Sequence, residues 1–492
     1  MQSSTVNGSG PPALAGARLG APAIVFFTVA AAAPETVVGG GAVSGFAVSG
    51  VSGIPVGYLV IALVLAVFSV GYVAMARHVA NAGAFYAYVA KGLGRVAGTA
   101  AGGVALLAYN LVQVSLVGGF GVGAADLVRT TTGAAVPWWL CAAVGAGAVA
   151  VLGLLRIDVN GRVLGVLLLA EVAVVLLYDL AFVTEPGPAG VVADTLRPGQ
   201  LATGAAGVIL VIAFTGFIGF ENSTVLAEEA RDPRTVVAAT YTSVAVIGGL
   251  YGLSTWAMTV ATGPAHIVGQ ARAHSTELLF DLAAQRLPGA LVTAGSALYV
   301  TSLFAGMLSF HHVCARYFFA LGREGVGPGW LAATSPRTSA PVAGSLVQSG
   351  IAALAVSGCV LGGLDPVVHL FFWGASVGAL GVLVLVTATS LAVAGYFLRA
   401  GGGQRWSTLV APLVAAAALG SVLVLTVAAF GTVLGVAPGD PAAWALPLLY
   451  VLVIAAGAAW GAVLRRHRPS TYARIGMGAR AAALAPEEEH AR

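Results

Sequence analysis

Residues 203–234 read TGAAGVILVIAFTGFIGFENSTVLAEEARDPR. The apolar part is long enough for a membrane span, yet it cannot be one continuous helix. Gly216 and Gly219 form a Gly-x-x-Gly step, the carboxylate of Glu221 follows, and charge gathers at Glu228, Glu229, Arg231 and Asp232 before Pro233. Hydrocarbon holds no water to satisfy loose backbone N–H and C=O groups, so a break at that depth survives only where it lines a cavity or is buried in protein. The stretch therefore predicts a discontinuous membrane helix.

The rest of the chain agrees. Its 492 residues are 58% hydrophobic and 9% charged, against about 25% charged in soluble domains. Apolar runs long enough to span, roughly 18 residues or more, recur along its length. They predict an all-α polytopic membrane protein with twelve spans: 20–43, 54–76, 98–125, 135–155, 163–184, 203–226, 237–261, 289–320, 341–362, 366–398, 409–435 and 443–464. Residues 1–18 and 465–492 read as cytoplasmic tails flanking a transmembrane domain over 19–464, the second tail as disordered and membrane-associating. The first residues lack a basic stretch feeding a short apolar core, so no cleavable signal peptide is expected. Cys141, Cys314 and Cys359 sit in apolar segments without metal-ligand spacing, which reads as packing.

The basic residues test the count. With twelve spans and both termini inside, 19 of the 23 Lys and Arg fall on the inner side; Arg129, Arg197, Arg272 and Arg286 fall outside. Such asymmetry is what the positive-inside rule requires; the expected location is a plasma or bacterial inner membrane, with both termini cytoplasmic. The net charge of +4 then reflects orientation, and scattered arginines on short loops make no nucleic-acid surface.

The first span, APAIVFFTVAAAAPETVVGGG (21–41), has its own interruption. Pro34 removes a backbone donor, Glu35 is an intramembrane carboxylate, and Gly39, Gly40 and Gly41 weaken the helix. Interruptions in the first and sixth spans predict two five-helix repeats of inverted topology, about 19–184 and 203–398, with two extra helices over 409–464. Matching interruptions mark the binding site in such transporters.

Three motifs now carry a family resemblance. FIGFENSTVLAEEARDPR (217–234) resembles the sixth helix of the amino acid–polyamine–organocation permeases. HVANAGAFYAYVAKGLGR (78–95) is similar to their loop between helices 2 and 3, and FHHVCARYFFALGREGVGPGWLAATSPRTSAP (310–341) to the inner end of helix 8. The likeness covers about residues 18–400. The first break departs from the usual Gly-x-Gly pattern, and His312 stands where Asn is expected. The resemblance implies a secondary transporter working by alternating access. A substrate carboxylate would meet backbone N–H groups around Ala33, Pro34, Glu35, Thr36 and Val37. The amine would meet carbonyls at Phe214, Thr215 and Phe217, beside Gly216 and Gly219, with Phe217 or Phe220 as an aromatic gate. The partners implied are an amino acid, a coupling proton or sodium ion, and the lipid bilayer, with no cofactor.

Glu35 and Glu221 have two readings. Either contacts a substrate amine, which favours cationic amino acids or polyamines, or each caps unwound backbone. Glu171 lies about nine residues beyond Arg162, near mid-membrane. The resemblance aligns it with a lysine of proton-coupled members, between helices 1, 5 and 8. It predicts a protonating group, a sodium ligand with Thr301 or Ser302, or a structural carboxyl. Tyr109, Asn110 and Gln113 form a polar stripe that lines the pathway or joins helices. Phe371, Phe372 and Trp373 read as outer vestibule or aromatic belt, and Glu228 and Glu229 as a latch with nearby arginines. His311 and His312, adjacent on a helix, point apart and do not suit a metal.

No His-Glu-x-x-His, nucleophile–base pair or nucleotide loop appears, which argues against an enzyme or primary pump. An exchanger, a polyamine importer and a transporter-like sensor remain as alternatives to a proton symporter of amino acids.

Overall fold

The computed structural model describes residues 14, 16–401 and 404–484. Among the described residues eleven helices are long and apolar enough to cross a membrane: α1 (Ala21–Ser49), α2 (Ile54–Ala76), α3 (Arg95–Thr132), α5 (Ile157–Thr184), α6 (Ala206–Val225), α7 (Pro233–Thr262), α8 (Gly289–Arg323), α9 (Val342–Leu361), α10 (Pro366–Ala400), α11 (Trp406–Ala428) and α12 (Ala442–His467). The fourth expected span is a shorter apolar helix, α4 (Trp138–Gly153). With it the twelve expected spans are all helical, and α3 runs ten residues longer than the apolar stretch suggested. Among the described residues there is no strand, only an isolated bridge between Leu19 and Ala230.

The helices are sorted inside out relative to a soluble bundle. Leu63, Val166, Leu354 and Leu361 are exposed, as lipid-facing side chains should be, and hydroxyls and carboxyls are turned inward. Contacts between helices rely on small residues, because lipid gives no hydrophobic drive toward association. A Cβ on Gly457 of α12 would sit 2.6 Å from the Ala100 Cα of α3, and one on Gly344 of α9 would sit 2.4 Å from the Ala315 carbonyl oxygen of α8. Helix α3 is the central post and packs on α4, α8, α10 and α12. Helix α1 is enclosed by α5, α7 and α8.

One face is closed by the chain's ends and loops. Arg18 and Leu19 donate their N–H groups to the Glu229 carbonyl, each at 2.9 Å, tying the N-terminal segment to the loop after α6. The second tail corrects the expectation of disorder for the part described here. Pro469–Arg474 is helical and Gly478–Leu484 forms 3₁₀ turns, with Ile475 and Ala481 buried. The buried carboxylate of Glu324 holds this segment. It accepts from Asn81 Nδ2 (2.7 Å), the Tyr86 hydroxyl (2.7 Å), the Gly478 N–H (2.7 Å) and the Gly476 N–H. The acidic end of the tail, Glu487–Glu489, lies outside the described residues.

Candidate functional site

Both expected breaks exist, and they touch. In α1 regular helix stops at Ala31. Ala33 then takes a left-handed conformation (φ 47°), and helix restarts at Pro34. Proline suits that restart, because a first helical residue has no acceptor for its N–H anyway. The next donors, on Glu35 and Thr36, begin the new half-helix, where N–H groups lack intrahelical partners. Its following stretch, Val37–Ala42, is wound in wider i→i+5 turns that include the three glycines.

In α6 regular helix stops at Phe217, turns run through Ile218–Glu221, and a last helical turn covers Asn222–Val225. Gly219 takes φ +117°, and a Cβ there would sit 2.7 Å from the Ala31 Cβ. Gly216 is as constrained: its Cβ would approach Val37 Cγ1 and Tyr58 Cε1, each to 2.9 Å. The two glycines let one break lie against the other. The Tyr251 hydroxyl of α7 donates to the Ala32 carbonyl (2.9 Å), satisfying a group that the break in α1 exposes.

A cavity of about 440 Å³ opens at this junction. Ala33, Thr36 and Val37 of α1 line it, as do Thr215 and Gly216 of α6. So do Tyr58, Leu116, Phe310, Phe371 and Phe372. Its upper wall includes Val48, Ser275 and Val433, so it extends toward the face opposite the chain ends. The wall residues are uncharged; its polar side chains are hydroxyls such as Thr36, Thr215, Ser44, Ser115, Ser275 and Ser376.

Several expected site residues lie elsewhere. Phe214, Phe217 and Phe220 are buried in packing and do not line the cavity. Phe217 stacks among Tyr58 and Tyr251, and Phe220 meets Phe68 edge-on. The aromatic wall comes instead from α2, α8 and the start of α10. Glu221 is a local clasp: one carboxylate oxygen accepts from the Tyr109 hydroxyl (2.9 Å), the other from the Gly219 N–H (2.9 Å). Tyr109 thereby braces the break from α3 and is not in the wall.

Glu35 also turns away from the cavity. Its turn packs on α5 and α8, which brings its carboxyl within electrostatic reach of Glu171. Both residues are buried, and none of their four carboxyl oxygens has a hydrogen-bond partner. Ser302 of α8 stands beside Glu171, its buried hydroxyl also unpartnered. The Tyr178 and Tyr251 hydroxyls are occupied elsewhere, donating to the Leu291 and Ala32 carbonyls (3.0 and 2.9 Å). Thr301 is spent on its own helix, donating to the Leu298 carbonyl (3.0 Å). Among the described residues no group of three or more His, Cys, Asp or Glu is placed to hold a metal ion. Asp179, further along α5, is a buried carboxylate that sequence reading passed over; it accepts from Ser254 (2.7 Å).

Below the cavity, toward the chain ends, ion pairs seal the bundle. Arg316 grips Glu229 with two bonds of 2.6 and 2.9 Å, both side chains 2% exposed. Arg323 grips Glu228 likewise at 2.8 and 2.6 Å, and Glu228 also accepts the Ala82 N–H (2.8 Å). The latch expected of Glu228 and Glu229 is thus formed by arginines of α8. Planar guanidinium forks suit such two-point pairing.

Comparison with known proteins follows the geometry. The fold is similar to that of a mutant of the Eremococcus coleocola manganese transporter, with TM-score 0.57, 14% sequence identity, and coverage of 92% of this chain and 94% of that one. No curated protein matches the sequence. The family described as "Amino acid permease" matches residues 24–456, nearly the whole bundle with both breaks. The chain belongs to the amino acid permease family and is a secondary transporter of that helical fold.

Proposed function

We propose that this chain moves amino acids across a plasma or inner membrane by alternating access and couples that movement to protons through Glu171. One observation carries the coupling. Glu171 and Glu35 are buried carboxyls within electrostatic reach of each other; among the described residues neither has a salt-bridge partner, and the hydroxyl placed beside Glu171 is that of Ser302. Two such groups cannot both be ionised in a low-dielectric interior, since each uncompensated charge costs several kcal/mol. The pair holds a proton whenever it is shut away, and releases it when a conformational change admits water. Its place behind the break in α1 links that exchange to the backbone that would bind substrate.

The cavity supports the substrate class. The half-helix starting at Pro34 offers N–H groups and a positive dipole end for a carboxylate. The end of the first half of α6 offers a carbonyl for an amine: the Thr215 oxygen accepts one turn N–H, from Ile218 (3.2 Å), which leaves it a second lone pair, and Thr215 lines the cavity. A divalent metal as cargo would want carboxylate, imidazole or thiolate ligands, and the wall supplies none. The distribution of Lys and Arg supports cytoplasmic chain ends.

Ser302 favours a second reading, in which its free hydroxyl and Glu171 ligate sodium. Uptake into proteoliposomes separates the two. Accumulation driven by an inward proton gradient without sodium, abolished in Glu171→Gln while substrate exchange persists, supports the proton reading. Concentrative uptake that follows only a sodium gradient replaces it. Gradient-driven accumulation retained in Glu171→Gln removes Glu171 from coupling altogether.

A further inference from the structure

We infer that the cavity selects amino acids with uncharged, largely apolar side chains and rejects cationic and anionic ones, polyamines included; this rests on the amino acid reading above. The sequence alone left cationic substrates open, because two intramembrane carboxylates flank the breaks. The structure disarms both. Glu221 spends its two oxygens on Tyr109 and Gly219, and Glu35 is buried without lining the cavity. No Asp, Glu, Lys, Arg or His contributes to the cavity wall.

The energetics follow. The zwitterionic head of any amino acid can be met by backbone groups at the two breaks, which serve all amino acids alike. Discrimination falls to what surrounds the side chain. Here that is Leu116, Phe310, Val368, Phe371 and Phe372, with serine hydroxyls between them. A hydroxyl pairs with a neutral polar atom but does not offset a full charge. An ammonium, guanidinium or second carboxylate would be stripped of water against hydrocarbon with no counter-charge. A branched or aromatic side chain gains from the same wall in proportion to the apolar area it buries. A volume of about 440 Å³ sits in the usual range for small-molecule pockets and admits aromatic side chains.

The test is counterflow. Proteoliposomes of the full chain are preloaded separately with leucine, valine, phenylalanine, lysine, arginine, glutamate or putrescine, and entry of the same labelled compound is followed. Exchange of one or more of the first three, at least about tenfold faster than any charged compound, is the expected result. Exchange of lysine, arginine, glutamate or putrescine at a comparable rate overturns the selectivity while leaving an amino acid or amine transporter standing. No exchange of any compound, together with no thermal shift of the purified protein by any of them, overturns the inference and the amino acid reading beneath it.

Discussion

At the scale of single residues, Gly219 decides whether the two breaks can meet. It occupies φ +117°, and any Cβ would press on Ala31. Gly219→Ala is expected to add about 1–3 kcal/mol of backbone strain and a packing cost of similar size. Uptake should be lost and the melting temperature in detergent lowered. A variant with wild-type uptake and stability would mean that the breaks do not need this contact. The same scale shows what the sequence could and could not disclose. The breaks themselves were legible, because Pro34, the glycine triplet and the Gly-x-x-Gly step are chemical facts about backbone. Which side chains they aim inward was not. Successive residues of a helix point about 100° apart, so a small uncertainty in rotation separates Thr36, which lines the cavity, from Glu35, which does not. Likewise Phe217 and Phe220, readable as gates or as packing, are packed away from the cavity, while Phe371 and Phe372, more simply read as an aromatic belt, line it.

Elements add constraints that their own sequence barely announces. Helix α7 starts with a cap that could be read directly: Asp232 accepts from the Thr235 N–H (2.9 Å) just before Pro233. That backbone hydrogen bond holds the Asp232 carboxyl below its ordinary range. A depressed value means that the folded state favours the carboxylate, so the cap is intact above the ordinary aspartate value and is lost as pH falls through the lower folded one. Hydrogen exchange of the Thr235 amide, corrected for its intrinsic rate, should therefore rise only in that acidic window. Asp232→Asn should abolish the pH dependence; an unchanged profile would place the dependence elsewhere. The C-terminal segment gave no such warning. Its docking depends on a carboxylate about 150 positions earlier, Glu324, whose oxygens take the N–H groups of Gly476 and Gly478. Hydrogen bonds to a charged group are worth about 1.5–3 kcal/mol each. Truncation after Arg468 should therefore lower stability and speed exchange in residues 81–90 and 324–327. Equal protection in the truncated protein would show that the tail merely rests there.

For the whole molecule, the question is which face is open and what holds the other shut. The cavity extends away from the chain ends, and between it and those ends stand the pairs Arg316–Glu229 and Arg323–Glu228. Each pair joins α8 to the segment after the break in α6, so movement of α6 relative to α8 has to separate them. Alternating access then requires that these pairs stabilise one state without making the other unreachable. Removing one partner of a buried pair costs about 3–5 kcal/mol, because the remaining charge is left uncompensated. That cost falls on the sealed state, where the pair is dry, and is relieved in a state where water reaches it. Arg316→Gln and Glu228→Gln should accordingly shift the population toward opening at the chain-end face. At 1.4 kcal/mol per factor of ten, even half of that cost moves the equilibrium by about tenfold or more. The Ala82 N–H, which donates to Glu228, reports on the seal. Its hydrogen exchange should accelerate in both variants, and net uptake should fall. The reversed pair Glu228→Arg with Arg323→Glu keeps an ion pair of opposite sign and should restore part of the lost uptake but not the protection of Ala82, because a guanidinium has no acceptor for that N–H. If either single variant leaves Ala82 as protected as in the parent, the arginine forks do not gate this face, and its closure has to be assigned to the packing of α8 against α3.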